Sequence, residues 1–130
     1  MRSIAPFTLF LLLLGLWTWK LLEPSPVPDT VMDEIPLDLR FLLAKLLHAG
    51  VYSFLTVLAA FLPVRRPYYW MIVATLVLHG IATEVGQTYT PNRHGSVRDV
   101  LIDWTGIGLG LVALQWIGPL RRATYSANQS

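Results

Sequence analysis

Four long apolar runs divide this chain: Ile4–Leu22, Phe41–Leu62, Tyr68–Val85 and Val100–Ile117. Each is close to the roughly 17–25 residues that carry a helix across the hydrocarbon core of a bilayer. The polar residues collect between them. Loop one, Glu23–Arg40, holds four of the nine prolines and five of the eight acids (Glu23, Asp29, Asp33, Glu34 and Asp38). Proline and charge forbid a long helix there, although a short turn near Asp29–Ile35 fits. Loop two, Pro63–Pro67, is a tight connector, and loop three, Thr88–Arg98, carries the turn formers Pro91, Asn92 and Gly95. The pattern predicts an all-α fold, a polytopic membrane protein built as a bundle of four transmembrane helices. Residues 1–22 form the first transmembrane helix, 23–40 an acidic, Pro-rich outer loop, 41–120 a three-helix region and 121–130 a polar tail expected to fray.

Composition agrees. Of 130 residues, 54% are hydrophobic and 14% charged, against roughly a quarter charged in soluble domains. The absence of cysteine excludes disulfides and thiolate metal sites. A formal charge of +2, without a basic cluster interleaved with aromatics, argues against a nucleic-acid partner. The first run, with Arg2 ahead of Phe7–Leu16, has the outline of a cleavable signal peptide, but no A-x-A-like site follows it. Trp17, Trp19 and Lys20 form an interfacial anchor of the kind that ends a retained span, so retention is expected. Arg2, Arg65, Arg66, Arg121 and Arg122 fall on one side of a four-span arrangement, against Lys20, Arg40, Arg93 and Arg98 on the other. The positive-inside rule then puts both termini in the cytoplasm of a multi-pass plasma-membrane protein, with loops one and three outside.

Depth changes the reading of the polar residues. Lys45, His48 and Tyr52 stand at i, i+3 and i+7 and share one helix face. Glu84 and Gln87 fall in the last turn of the third span, with Gly80 on the same face, and Asp103 lies in the first two turns of the fourth. Ionisable groups inside a membrane are a functional-site hypothesis by default. Glu84 and Asp103 stand too far from a helix end to be plain caps, although a salt bridge to Lys45 or Arg93 would explain one of them. Lys45 alternatively snorkels to the interface. Ser96-x-x-Asp99 matches a capping box with Asp in place of Glu or Gln, so Asp99 is either a cap or a site residue. His79 lies about 140° round the helix from Glu84 and reads as a separate packing or interhelical hydrogen-bonding residue. Asp99, Asp103, Gly106 and Gly110 form one stripe, whose small residues permit close approach to the second and third spans or to another copy of the chain.

The ordered set Lys45-x-x-His48-x-x-x-Tyr52, Glu84-x-x-Gln87, Pro91-x-Arg93, Asp99, Asp103, Gly106 and Gly110 resembles the VanZ-like family of small bacterial membrane proteins. Three positions depart from that family's pattern. Ala49 replaces an aromatic after His48, Ala44 stands where an Asp often precedes the Lys, and Asp103 replaces the usual Asn, adding an acid. The family is named for low-level resistance to the glycopeptide teicoplanin, so the resemblance implies a role in the bacterial cell envelope. It carries over no settled biochemical activity.

The leading expectation is a membrane protein that binds a polar or anionic headgroup, or a cell-wall-related ligand, in an outward-facing pocket. Lys45, His48 and Arg93 would supply cationic donors, with Glu84, Gln87 and Asp103 orienting them and Tyr52 and Asp99 completing the set. Gly80, Gly106 and Gly110 would serve helix packing. Membrane lipid and a lipid-linked or glycopeptide ligand are the expected partners, with a homo-oligomer open. No metal and no cofactor is expected. Two alternatives stand beside it: an intramembrane enzyme acting on a lipid-linked substrate through His48 with Glu84 or Asp103, and a structural oligomer joined through Gly106 and Gly110. The chain contains neither HExxH nor G-x-S-x-G, which favours a non-catalytic role.

Overall fold

The computed structural model describes residues 4–24, 30 and 33–127, with side chains as far as Gly118. Among these residues the chain forms helices α1 (Ala5–Leu22), α2 (Leu37–Ala60), α3 (Arg66–Thr88) and α4 (Val97–Ala127), and no strand. All four, with α4 counted over Val97–Gly118, are long and apolar enough to cross a membrane. Large apolar side chains such as Leu12, Leu46, Phe54, Met71 and Leu109 are exposed on the outside of the bundle, as hydrocarbon-facing positions should be.

The helix starts have local causes. Proline occupies the first turn of α1 and of α3, where its missing N–H leaves no intrahelical bond unmade. The second helix begins at Leu37, four residues before the apolar run, because Pro36 ends the extended loop and Asp38 sits in the first turn, where a carboxylate meets the positive end of the helix dipole. Asp33 to Ile35 make a turn, and Arg40 Nε donates to the Ile35 carbonyl at 2.6 Å. The remainder of the expected Asp29–Ile35 turn lies outside the described residues. The last helix, α4, runs to Ala127.

Up–down–up–down connectivity brings the ends of all four helices together at two poles. The broadest contact is between α2 and α4, and glycine makes it. A Cβ on Gly106 would run into the backbone of Ala49, and one on Gly110 would come within 2.7 Å of the Ser53 carbonyl and 2.8 Å of Thr56 Cβ. Without those methyls the two backbones pack directly. The glycine stripe therefore faces α2 of its own chain, not a second copy. Toward the α2–α3 turn, the interior is an apolar cluster that includes Phe10, Leu55, Ala59, Leu62, Val73 and Leu76.

Candidate functional site

Polar residues fill the interior toward the other pole, beneath loops one and three. Asp103, six residues into α4, is completely buried, and Glu84, near the end of α3, is 4% exposed. From α2, His48 Nδ1 meets Asp103 Oδ1 at 2.8 Å. With a carboxylate as acceptor, the imidazole donates, which fixes the ring and leaves Nε2 as its other polar atom. Trp17 of α1 packs edge-on against the His48 and Tyr52 rings, with centroids 5.4 and 6.5 Å away. Gly80 lets α4 close on α3, since a Cβ there would lie 3.2 Å from Asp103 Oδ2 and 3.7 Å from the Tyr52 hydroxyl.

A second chain of hydrogen bonds crosses three helices. The Thr18 hydroxyl donates to the Leu14 carbonyl at 2.7 Å, so its oxygen accepts from His79 Nε2, 2.8 Å away. His79 Nδ1 then accepts from the Tyr52 hydroxyl at 2.8 Å. This network assigns His79 the Nε2–H tautomer. His79 is thus an interhelical hydrogen-bonding residue, but it is not separate from the candidate site, because its partner is Tyr52.

Glu84 corrects the view that it stands too far from a helix end to cap one. Its Oε2 accepts the Ser96 backbone N–H at 2.9 Å, just ahead of Val97. Ser96 Oγ accepts from the Arg98 N–H at 3.2 Å. Half of the predicted capping box is present, but the reciprocal carboxylate comes from α3 across loop three and not from Asp99. Loop three allows this by turning tightly: Asn92 takes a left-handed φ of 60°, and Gly95 lies directly on the Glu84 carbonyl, where a Cβ would collide with it. Asp99 sits half-buried one turn above Asp103 on the same face of α4.

Of the three expected cationic donors, Lys45 and Arg93 form no ion pair with the acids of the cluster. Arg93 donates from Nε to the Glu23 carbonyl at 3.0 Å and from Nη2 to the Lys20 carbonyl at 3.2 Å. It thereby satisfies carbonyls at the end of α1, the place where a cation also meets the negative end of the helix dipole. Burial lowers the pKa of its guanidinium, the Glu23 and Glu84 carboxylates act the other way, and it remains charged. Lys45 is half-buried and forms no ion pair with a described residue. The anticipated salt bridge from Glu84 or Asp103 to Lys45 or Arg93 is therefore not formed among the described residues. Lys20 also behaves differently from a free interfacial anchor, pairing with Glu23 at 2.8 Å while its Nζ lies 4.8 Å from the Trp19 ring centroid.

The cluster thus holds His48, Tyr52, Glu84 and Asp103, with Gln87 buried on the same face of α3, and it is acidic in balance. One donor atom each from His48, Glu84 and Asp103 lie within 4.8 Å of one another. Glu84 Oε1, Gln87 Nε2 and Asp103 Oδ2 are buried without a hydrogen-bond partner. Sequence reasoning missed Trp17, Thr18 and Ser96 as parts of this arrangement. A signal for Trp17 existed: Phe10, Leu14, Trp17 and Leu21 recur at i, i+4, i+7 and i+11, an inward stripe. Thr18 had no such signal, and Ser96 was read as a cap without its partner Glu84.

The fold and cluster define a multi-pass α-helical membrane protein with an acidic, histidine-containing interior at one pole. The VanZ/LLP1 family model matches residues 4–118, and the chain belongs to that family. The match covers α1 as well as the motif-bearing helices, which fits the contribution of Trp17 and Thr18 to the interior. No curated protein and no solved structure matches the chain.

Proposed function

We propose that this chain is a bacterial cell-envelope protein that holds the polar part of a membrane ligand in the His48–Glu84–Asp103 cluster. The ligand is a lipid headgroup or a lipid-linked or glycopeptide cell-wall molecule. The observation that carries the reading is that, besides the Trp17 indole nitrogen, three atoms of the acidic cluster and Gln87 are buried and unpartnered: two carboxylate oxygens and an amide nitrogen. Buried polar atoms are nearly always paired in native proteins, so these three suit an occupant with both donors and acceptors. Arg93 is bonded to the end of α1 and Lys45 forms no ion pair with a described residue, so of the three cationic donors first expected His48 is the one that meets the cluster's acids. Family membership supports a link to teicoplanin resistance.

The reading puts both termini in the cytoplasm and the cluster in the outer leaflet of the plasma membrane. Arg93, engaged by α1 carbonyls, then stops counting as a free topology signal, and the charge bias sharpens. The chain has no cysteine, so His94→Cys and Arg66→Cys can be labelled singly. A membrane-impermeant maleimide applied to intact cells should reach the first and not the second; the reverse pattern inverts the topology.

Mass spectrometry of protein extracted from its own membranes tests the site. Wild type should retain a polar lipid or lipid-linked precursor, and Glu84→Gln or Asp103→Asn should lower occupancy about ten-fold, the effect of one charge-assisted hydrogen bond of about 1.4 kcal/mol. Teicoplanin tolerance conferred by expression should fall in parallel while membrane insertion is kept. Equal occupancy and tolerance in all three proteins would refute the proposal.

One observation favours a second reading, an intramembrane enzyme. The Asp103–His48 contact orients an imidazole as a carboxylate does in acid–base catalysis. Turnover of a labelled lipid-linked precursor by the purified protein, lost in His48→Ala, would establish it; no turnover at any enzyme concentration would remove it.

A further inference from the structure

We infer that the His48–Glu84–Asp103 cluster is a divalent-cation site, suited to an ion of the zinc or manganese class. The inference rests on reading this cluster as a ligand site, and adds that its innermost occupant is a metal ion. Three helices each contribute one donor residue: an imidazole nitrogen from α2, a carboxylate oxygen from α3 and another from α4. These donor atoms lie within 4.8 Å of one another. Metal–ligand bonds of about 2.0–2.2 Å in tetrahedral geometry hold neighbouring ligand atoms roughly 3.3–3.6 Å apart. Side-chain movements that close the widest pair by about an ångström bring the set around a single ion.

An independent observation points the same way. Each carboxylate has one oxygen engaged and one without a partner. Glu84 uses Oε2 on the Ser96 N–H and leaves Oε1, while Asp103 uses Oδ1 on His48 and leaves Oδ2. Asp103 is fully buried and Glu84 is 4% exposed, so neither free oxygen turns to water. Asp103 Oδ2 points toward α3, since it lies 3.2 Å from where a Gly80 Cβ would stand, and Glu84 is one turn further along that face. The bond to Ser96 holds the Glu84 carboxyl in orientation, the support that metal-binding carboxylates commonly receive.

Charge favours a cation over the alternatives. Among the described residues no lysine or arginine pairs with either acid, and paired buried charges are the rule inside a membrane. A dication supplies the missing positive charge at the centre of the cluster. One imidazole and two carboxylates suit zinc or manganese. They are too few oxygens for calcium, and the chain offers no thiolate for softer ions. Three protein ligands leave a coordination position open, through which an acidic site can hold an anionic headgroup that its carboxylates alone would repel.

The test uses full-length protein without a histidine tag, stripped with chelator and titrated with zinc or manganese chloride in lipid nanodiscs. Wild type should bind one ion per chain. His48→Ala, Glu84→Gln and Asp103→Asn should each weaken binding at least ten-fold with helical circular dichroism and elution unchanged, whereas His94→Ala, in exposed loop three, should bind as wild type does. If one variant fails to fold, the remaining two decide. Absence of stoichiometric binding, or equal binding by all the site variants, overturns the proposal. Lipid occupancy that depends on Asp103 in a protein that binds no metal removes the ion and leaves the ligand site. Metal binding without any retained lipid does the reverse.

Discussion

Toward the α2–α3 turn, Phe10, Leu55, Ala59, Leu62, Val73 and Leu76 pack as an apolar cluster. Toward loops one and three, the same four helices meet through His48, Tyr52, His79, Glu84 and Asp103, joined by interhelical hydrogen bonds or held against buried polar neighbours. In lipid, apolar packing gains little from hydrophobic burial because the tails outside are equally apolar, so close fit and hydrogen bonds must hold helices together. The apolar pole relies on fit. The polar pole relies on directional bonds, and it retains atoms that the chain itself does not satisfy. That difference distinguishes a part built for packing from a part built around an occupant. Between the two poles, Gly106 and Gly110 set the spacing of α2 and α4 for both.

The largest break in this comparison should come from the glycine seam. Gly106→Leu drives a side chain into the Ala49 backbone, and overpacking of this kind costs about 1–3 kcal/mol or more where neither side can yield. Detergent-solubilised protein should lose its single elution peak. Gly108→Leu, on the same helix with no heavy atom within 4 Å of its added Cβ, should elute as wild type does. Equal behaviour of the two would mean that the seam does not set the spacing.

Leu76→Ala removes a fully buried side chain from the apolar pole. The cavity should lower stability by about 2 kcal/mol, at the small end of core truncations because the transfer contribution weakens in lipid. Thermal unfolding in nanodiscs measures this, and lipid retained per folded molecule should not change. A loss of ligand with the loss of stability would join the two poles into one unit.

Smaller effects belong to the polar pole. Tyr52→Phe removes the donor to His79 Nδ1 and should cost about 0.6 kcal/mol, the average interhelical hydrogen bond in a membrane. A downfield-proton nuclear magnetic resonance spectrum should show the His79 Nε2–H resonance shifted. Arg93→Lys keeps the charge but loses the planar fork that reaches two carbonyls. A loss of about 0.5 kcal/mol is expected, seen as faster hydrogen exchange near Lys20–Glu23 with exchange in α2 unchanged. Uniformly faster exchange would instead give Arg93 a role in the whole bundle.

The four helices were legible because hydrocarbon thickness sets span length and apolar runs record it directly. His48, Tyr52, Glu84, Gln87 and Asp103 were legible as interior residues for a related reason, since helical periodicity put each on a shared face and a membrane penalises polar groups anywhere else. Ionic pairing was not legible. Lys45 and Arg93 stood at plausible depths, yet depth along a helix says nothing about where a long, flexible side chain ends. Arg93 found the carbonyls of α1 some seventy positions earlier in the chain, and a contact of that span depends on how the helices are arranged. The capping role of Glu84 was hidden for the same reason, because a cap read from sequence is sought within three residues and this one lies twelve away.

From the sequence alone came the membrane class, the number of spans, the acidic loop, the glycine stripe and the suspicion that Glu84 and Asp103 belong to one site. Periodicity and burial cost are local rules, and these conclusions need nothing more. Only the tertiary structure decided that Asp103 meets His48, that His79 joins Tyr52 to Thr18, that the glycines face α2, and that Arg93 leaves the cluster to the acids. Those outcomes depend on which helix faces lie together, and helix facing follows from packing that no single segment specifies.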